Sequence, residues 1–251
     1  MPPFHANSPL SCLLGALTLL MLSQPLVADP RIATDPEALY WQAAMARLEI
    51  PIIRSVEGRM RHFTEHCSAT AITPGPAMLL LSAWHCFEDY AATQGAIELF
   101  TQHSTDTALP LRLIVSGGSM SEDWAILTPL TGNANVINAW IPLSTQPAQR
   151  GTRVIAAGFA PLADDAAPER TAETPPTRGL LYDPDCVVLM GNTRPAKSDC
   201  IAKKGASGGA ILRHTASGSV RVLGVISAGD GESVSYFHPT DTLISRIRSL
   251  R

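Results

Sequence analysis

From Arg59 onward the chain alternates short apolar runs with breaks containing Gly and Pro, the pattern of β-strands. The runs predict strands at Met60–Phe63, Ser68–Ile72, Ala77–Ser82, Ile97–Phe100, Leu111–Val115 and Trp124–Leu127. A second set follows at Val154–Gly158, Gly179–Tyr182, Cys186–Met190, Ala210–Leu212, Val220–Ser227 and Ser233–Phe237. Many short strands at close spacing point to sandwiches or barrels and away from βαβ units. Four segments break the pattern. Cys12–Leu22 is an apolar run too short to span a bilayer, with small Ala28 at a plausible cleavage point before Asp29, so residues 1–28 read as a secretory signal peptide even though no Lys or Arg precedes the core. Residues 29–57 read as an N-terminal extension or short propeptide, with a short helix within 29–50. Ala160–Thr177, rich in Ala, Pro and acids, reads as an exposed loop between two strands. At the far end Asp241 is placed to cap a helix in which Leu243, Ile244, Ile247 and Leu250 recur at helical spacing and Arg246, Arg248 and Arg251 lie near the C-terminus.

A length of 251 residues allows one large core or two modest ones, and 45% hydrophobic with 16% charged residues is an ordinary globular balance. The net charge of −3 is spread along the chain, so the basic stripe that a phosphate backbone requires is missing and nucleic acid is not an expected partner. Cleavage after residue 28 would remove Cys12 and leave Cys67, Cys86, Cys186 and Cys200. In an oxidising compartment four cysteines suggest two bridges, with three connectivities open. His62, His66 and His85 could join those thiols as ligands, but neither CxxC nor HExxH spacing occurs, and no metal or cofactor is expected.

Three segments carry candidate chemistry. An apolar strand runs into a histidine beside a cysteine in Leu79–Cys86, LLLSAWHC; an acid opens an apolar strand in Glu122–Leu127, EDWAIL; a serine lies between glycines in Gly205–Ala210, GASGGA. Each alone has an ordinary structural explanation: a core histidine, a turn aspartate, a flexible loop. Their order, His then Asp then Ser, is what points to nucleophilic catalysis.

In that order SAWHC, DWAIL and GASGGA resemble the T-A-A-H-C, D-x-A-L-L and G-D-S-G-G-P blocks of the trypsin-like, chymotrypsin-fold serine peptidases, particularly the bacterial secreted branch related to glutamyl endopeptidases. Cys67–Ile72 resembles the strand that precedes the catalytic histidine in that family, and Gly224–Gly229 the strand lining its substrate cleft. The resemblance implies an all-β fold of two six-stranded antiparallel barrels with a C-terminal α-helix, the first barrel over 58–140 and the second over 141–251. It further implies a catalytic triad of His85, Asp123 and Ser207, and an oxyanion hole from the backbone N–H groups of Gly205 and Ser207. Substrate would be bound by Ile201, Ser227, Ala228 and Gly229, and the disulfides would be Cys67–Cys86 and Cys186–Cys200. The protein would be a monomer acting on polypeptide, exported to the periplasm or beyond, with no stable membrane association once the signal is removed. Asp89 and Asp106 are rival acids, but neither opens a strand of the DxAIL type.

Several positions depart from the family pattern. Ala206 replaces the aspartate that receives a freed N-terminus in animal zymogens, Trp84 replaces a small residue beside the histidine, and Ala210 replaces a proline. Ile201 stands where trypsin has its specificity acid and Ile226 where Glu-preferring relatives have a histidine, so neither basic nor acidic preference is implied before the cleaved bond. A small or apolar side chain is the expectation there, with His238 a structural residue. Two other readings stand beside the peptidase: a secreted binding module on an inactive scaffold of this kind, and a disulfide-bonded β-domain of unrelated ancestry.

Overall fold

The computed structural model describes residues 31–33, 39–75, 77–102, 104–130, 137–162 and 178–250. The expected signal peptide and positions 163–177 of the expected loop lie outside the described residues. Thirteen strands are described. β1 (Ile32–Ala33) precedes six that close into a barrel in the order β2-β3-β4-β7-β6-β5: β2 (Met45–Val56), β3 (Arg59–Ala71), β4 (Leu80–Ser82), β5 (Ile97–Thr101), β6 (Ser104–Ser116) and β7 (Ala125–Pro129). The next six are β8 (Arg153–Pro161), β9 (Arg178–Met190), β10 (Ala196–Ser198), β11 (Ala210–His214), β12 (Val220–Gly229) and β13 (Ser235–Pro239). They run β9-β10-β13-β12-β11-β8 and close through β8–β9, while β1 adds to β9 at Leu181 and Tyr182. Every strand pairing is antiparallel. A single α-helix, α1 (Ile244–Ser249), ends the described chain. The two-barrel architecture expected from the sequence is the one adopted.

Closure follows from alternation. In β2 the side chains of Leu48, Ile50 and Ile52 are buried while Arg47, Glu49 and Pro51 face outward, a period of two that puts one face into the barrel. One apolar cluster fills the first barrel and continues across the seam into Ala157, Phe159, Leu212 and Val225. A second, around Val188, Ile211, Leu223, Ile226 and Phe237, fills the other barrel.

Three expectations are corrected. The first barrel begins at Met45 and not at 58, and residues 45–50 form part of β2 where a helix was expected, because their buried positions alternate. The runs Met60–Phe63 and Ser68–Ile72 are one strand, β3, and Gly179–Tyr182 and Cys186–Met190 are likewise one, β9. In β3 the polar residues between the runs, Thr64, Glu65 and His66, are exposed or half-buried; in β9 Pro184 and Asp185 are exposed, while Asp183 is buried and accepts Ile201 N–H. Finally, Asp241 does not cap the C-terminal helix. It opens a 3-10 turn, Asp241–Leu243, that leads into α1, and neither N-cap makes a side-chain bond. Leu243 and Ile247 are buried there, whereas Leu250 is exposed.

Two disulfides, Cys67–Cys86 and Cys186–Cys200, match the pairing that the resemblance implied. Their sequence separations of 19 and 14 correspond, on chain-entropy grounds, to about 3 kcal/mol of stabilisation each.

Candidate active site

The register of the first barrel brings His85 to Asp123. β4 pairs with β7 as Leu80↔Leu127, Leu81↔Ile126 and Ser82↔Ala125, so the residues just after β4 meet those just before β7. His85 lies in the 3-10 turn Trp84–Phe87, pinned to β3 by Cys67–Cys86. Its Nδ1 is 2.8 Å from Asp123 Oδ2, and its backbone N–H donates to Asp123 Oδ1 at 2.9 Å. Asp123 is 1% exposed, a depth that only partners make tolerable for a carboxylate. A third donor arrives from the second barrel: the Ser227 hydroxyl donates to Asp123 Oδ2. The side chain of Ser227, a residue expected in the substrate site, is buried and bonds the acid, while Ala228 and Gly229 beyond it are exposed.

Ser207 sits on a tight turn at the barrel seam. Ala206 N–H donates to Lys203 O at 2.9 Å and Gly209 N–H to Ala206 O at 2.8 Å. Gly208 N–H donates to Ile226 O at 2.8 Å, fixing the turn beside the strand that carries Ser227. Ser68 of β3 clasps it from the other barrel: Ser68 N–H donates to Ser207 O at 2.7 Å and Ser68 Oγ to Gly205 O at 2.8 Å, while Phe159 N–H donates to Ser68 Oγ at 2.8 Å. This serine is fully buried, and the sequence marked it only as a strand residue.

In the run 205–209 the N–H groups of Ala206, Gly208 and Gly209 are therefore used internally. Among the described residues those of Gly205 and Ser207 have no acceptor, the two donors expected of an oxyanion hole. Nor does a hydrogen bond join Ser207 Oγ to His85 within that set; His85 Nε2 lies 3.9 Å from Cys86 Sγ. The rival Asp89 is paired with Arg54.

Gly208 shows why glycine is required beneath the serine. Its φ is +80°, and a Cβ there would collide with Ser82 Oγ and the Ser68 carbonyl. Gly218 has nearly the same φ, +81°, but nothing within 4 Å of its Cβ position. The backbone cost, about 1–3 kcal/mol, is common to alanine at either site. Gly208→Ala is therefore expected to lower Tm by at least about 5 °C more than Gly218→Ala, measured by thermal unfolding; equal losses would show that the close approach is unimportant.

The backbone of Gly229 packs closely on its neighbours. A Cβ on Gly229 would lie 2.9 Å from Ala202 O and 3.0 Å from Val234 O. A cavity of about 620 Å³ opens beside it, bordered by Leu162, Ala202, Lys203, Asp230 and Glu232. Ile201, the residue before Ala202, is half-buried, with its N–H held by Asp183 Oδ2 at 3.0 Å. Asp230 shapes the turn behind Gly229 by accepting the N–H groups of Ser233, Glu232 and Val234, which hold its carboxyl far below the usual range.

Behind Asp123 lies a network that the sequence did not reveal. Glu122 accepts from Trp124 Nε1 at 3.1 Å and from Arg194 at 3.2 Å, and the buried His238 places Nε2 3.7 Å from its carboxylate. Partial burial opposes ionisation of Glu122, but the Trp124, His238 and Arg194 contacts prevail and lower its pKa. Burial lowers the pKa of His238, with Arg194 adding to the effect and Glu122, Asp123 and Asp241 opposing it. His66 is lowered in the same way, first by burial and then by Arg178.

A histidine that stays neutral when folded binds fewer protons than its unfolded counterpart below about pH 6.5. The contribution of His238 and His66 is thus fully present above that pH and is lost as pH falls through it. Glu122 contributes above about 4.5 and loses its contribution only below that value. Tm is expected to fall between pH 7 and pH 5, and more shallowly in His238→Asn; a Tm that rises on acidification in this window contradicts the assignment.

Two clusters have metal-ligand composition, Cys67 with His85 and Cys86, and Cys186 with Asp199 and Cys200. Each is built on a disulfide, whose sulfurs lack the thiolate charge that a metal takes up.

Two closed six-stranded antiparallel barrels, a C-terminal helix and a His–Asp pair at the seam define the chymotrypsin-like fold of serine proteases. Solved structures of such proteases superpose on the chain at low identity. A Glu endopeptidase in complex with MPD does so with a TM-score of 0.57 and 18% identity, over 88% of this chain and 96% of its own. The protease Anisep from Arthrobacter nicotinovorans gives 0.55 and 16%, over 83% and 93%. A protease from M. tuberculosis in its active form gives 0.54 and 13%, over 84% and 82%. No protein-family model and no curated protein sequence matches the chain.

Proposed function

We propose that the protein is an exported serine endopeptidase in which Ser207 is the nucleophile, His85 the general base and acid, and Asp123 the group that orients and stabilises the imidazole. The observation that carries this reading is the hydrogen-bonded His85–Asp123 pair beside a serine turn whose Gly205 and Ser207 N–H groups have no acceptor among the described residues.

With Nδ1–H held by Asp123, the tautomer leaves Nε2 able to accept a proton. His85 takes the proton of Ser207 Oγ as the oxygen attacks the peptide carbonyl. The negative charge that develops on the carbonyl oxygen is met by the N–H groups of Gly205 and Ser207, each worth about 10²–10³ in turnover. His85 then gives its proton to the departing amine, the C–N bond breaks, and an acyl ester remains on Ser207. Water, deprotonated by His85, attacks that ester; the acid product leaves and Ser207 regains its proton. A small or apolar side chain before the cleaved bond is the preference we propose, because Ile201 and Ile226 supply no charge where related peptidases carry an acid or a histidine.

Export is supported by two disulfides together with the N-terminal apolar run. Among the described residues no helix is long and apolar enough to cross a membrane.

The missing Ser207–His85 hydrogen bond favours a second reading, a binding module on an inactive scaffold, although such bonds commonly tighten only with substrate in place. Labelling decides between them. The mature protein should react covalently with a fluorophosphonate and cleave a casein-type substrate; a folded protein that does neither is a binding module.

A further inference from the structure

We propose that Arg178 reads a carboxylate on the leaving-group side of the substrate, within the first two residues after the cleaved bond; this rests on the endopeptidase reading above. Arg178 is the first residue of β9, and its Nη1 packs against Gly205, one of the two donors assigned to the oxyanion. That nitrogen is buried and has no hydrogen-bond partner among the described residues, while the residue as a whole remains partly exposed. Two carboxylates are close enough to be felt, yet neither bonds to it: Glu49 is paired with Arg47, and Glu65 with Arg54.

The result is a partly desolvated cation held at the edge of the reacting centre, without a direct counter-charge among the described residues. Such a group carries a cost that an incoming anion relieves. His66 is near enough to feel Arg178, and its buried Nδ1, 3.9 Å from Glu49, likewise lacks a hydrogen-bond partner among the described residues. A guanidinium presents a planar fork of donors that fits a carboxylate and is wasted on a neutral amide.

Placement gives the direction. The Ser207 turn is met by β12, through Gly208 N–H to Ile226 O, and by Ser68 and Arg178, at Ser207 O and Gly205. A substrate whose acyl half lies along the exposed Ala228–Gly229 edge leaves Ser207 past Arg178. The carboxylate can be an Asp or Glu side chain or the terminal carboxylate of a short peptide.

The test uses the mature protein and matched peptides that share one cleaved bond. One arm compares Glu with Gln at the first and at the second position after that bond, in longer amidated peptides. The other compares short peptides ending in a free carboxylate or an amide. In at least one arm kcat/KM should favour the acid about tenfold at low salt, the preference should shrink with ionic strength, and it should fall to near one in Arg178→Gln. The wild-type ratio and its salt dependence need no variant, so they remain readable if Arg178→Gln fails to fold. Cleavage with acid-to-amide ratios near one in both arms, or an acid preference confined to positions before the bond, overturns the role of Arg178 and leaves the peptidase standing. A protein that cleaves none of the peptides and resists fluorophosphonate overturns the peptidase reading itself.

Discussion

Ser207→Ala is expected to reduce peptide hydrolysis by about 10⁴–10⁶-fold and to abolish fluorophosphonate labelling, with Tm nearly unchanged. The alanine lacks the oxygen that forms the acyl ester, so His85 has no proton to remove from a nucleophile. The N–H groups at 205 and 207 survive the change and can still stabilise an oxyanion formed by water attack, so a small residual activity should persist. Stability is spared because the side chain of Ser207 makes no hydrogen bond among the described residues. The turn is held by its backbone, through Ser207 O to Ser68 N–H and Gly208 N–H to Ile226 O. A stability change within about 0.5 kcal/mol is the expectation for such a position. If the variant keeps cleaving while folded, the nucleophile is another residue; if it loses both fold and activity, the turn depends on the side chain in a way its hydrogen bonding gives no reason to expect.

The sequence made some parts of this arrangement legible and hid others, for physical reasons. His85, Asp123 and Ser207 each stand in a local signature, strand then His-Cys, Asp then strand, and Gly-Ala-Ser-Gly-Gly, so short-range pattern was enough to single them out, and the structure pairs the first two. The strands were visible through their alternation, but their ends were not. Gly179–Tyr182 and Cys186–Met190 looked separate because Asp183, Pro184 and Asp185 lie between them, yet the single strand β9 runs through all three. β2 was missed although Leu48, Ile50 and Ile52 alternate, because Ala43, Ala44 and Ala46 upstream favour helix when burial is unknown. The supports of the site are of another kind. Ser227 reaches Asp123 across 104 positions and Ser68 reaches Gly205 across 137, so each contact exists only once the barrels meet. No local motif encodes the packing of Arg178 against Gly205, and its only trace in the sequence is an arginine after a Pro-rich run.

Asp123→Asn tests the other half of the mechanism, and its effect follows from counting donors. The aspartate accepts His85 Nδ1–H and the Ser227 hydroxyl on Oδ2 and His85 N–H on Oδ1. An asparagine has one oxygen and one NH₂ for the same three donors. With its oxygen at the Oδ2 position, the NH₂ points at the His85 backbone N–H, donor against donor, and a buried pair is lost. With the amide flipped, the NH₂ faces Nδ1 and makes that nitrogen an acceptor. The proton then resides on Nε2, where it blocks transfer from Ser207. Either arrangement also removes the negative charge that stabilises the imidazolium formed during attack. A loss of about 10⁴ in kcat is expected, with KM little altered because the exposed Ala228–Gly229 edge, the proposed substrate edge, is untouched. Fluorophosphonate labelling should slow in parallel, since it requires the same activation of Ser207. Ser227→Ala removes one donor and leaves the carboxylate, so its loss should be far smaller. A folded Asp123→Asn protein that labels and cleaves within tenfold of wild type would mean that His85 is oriented by something other than Asp123, and the assignment of the acid would fall.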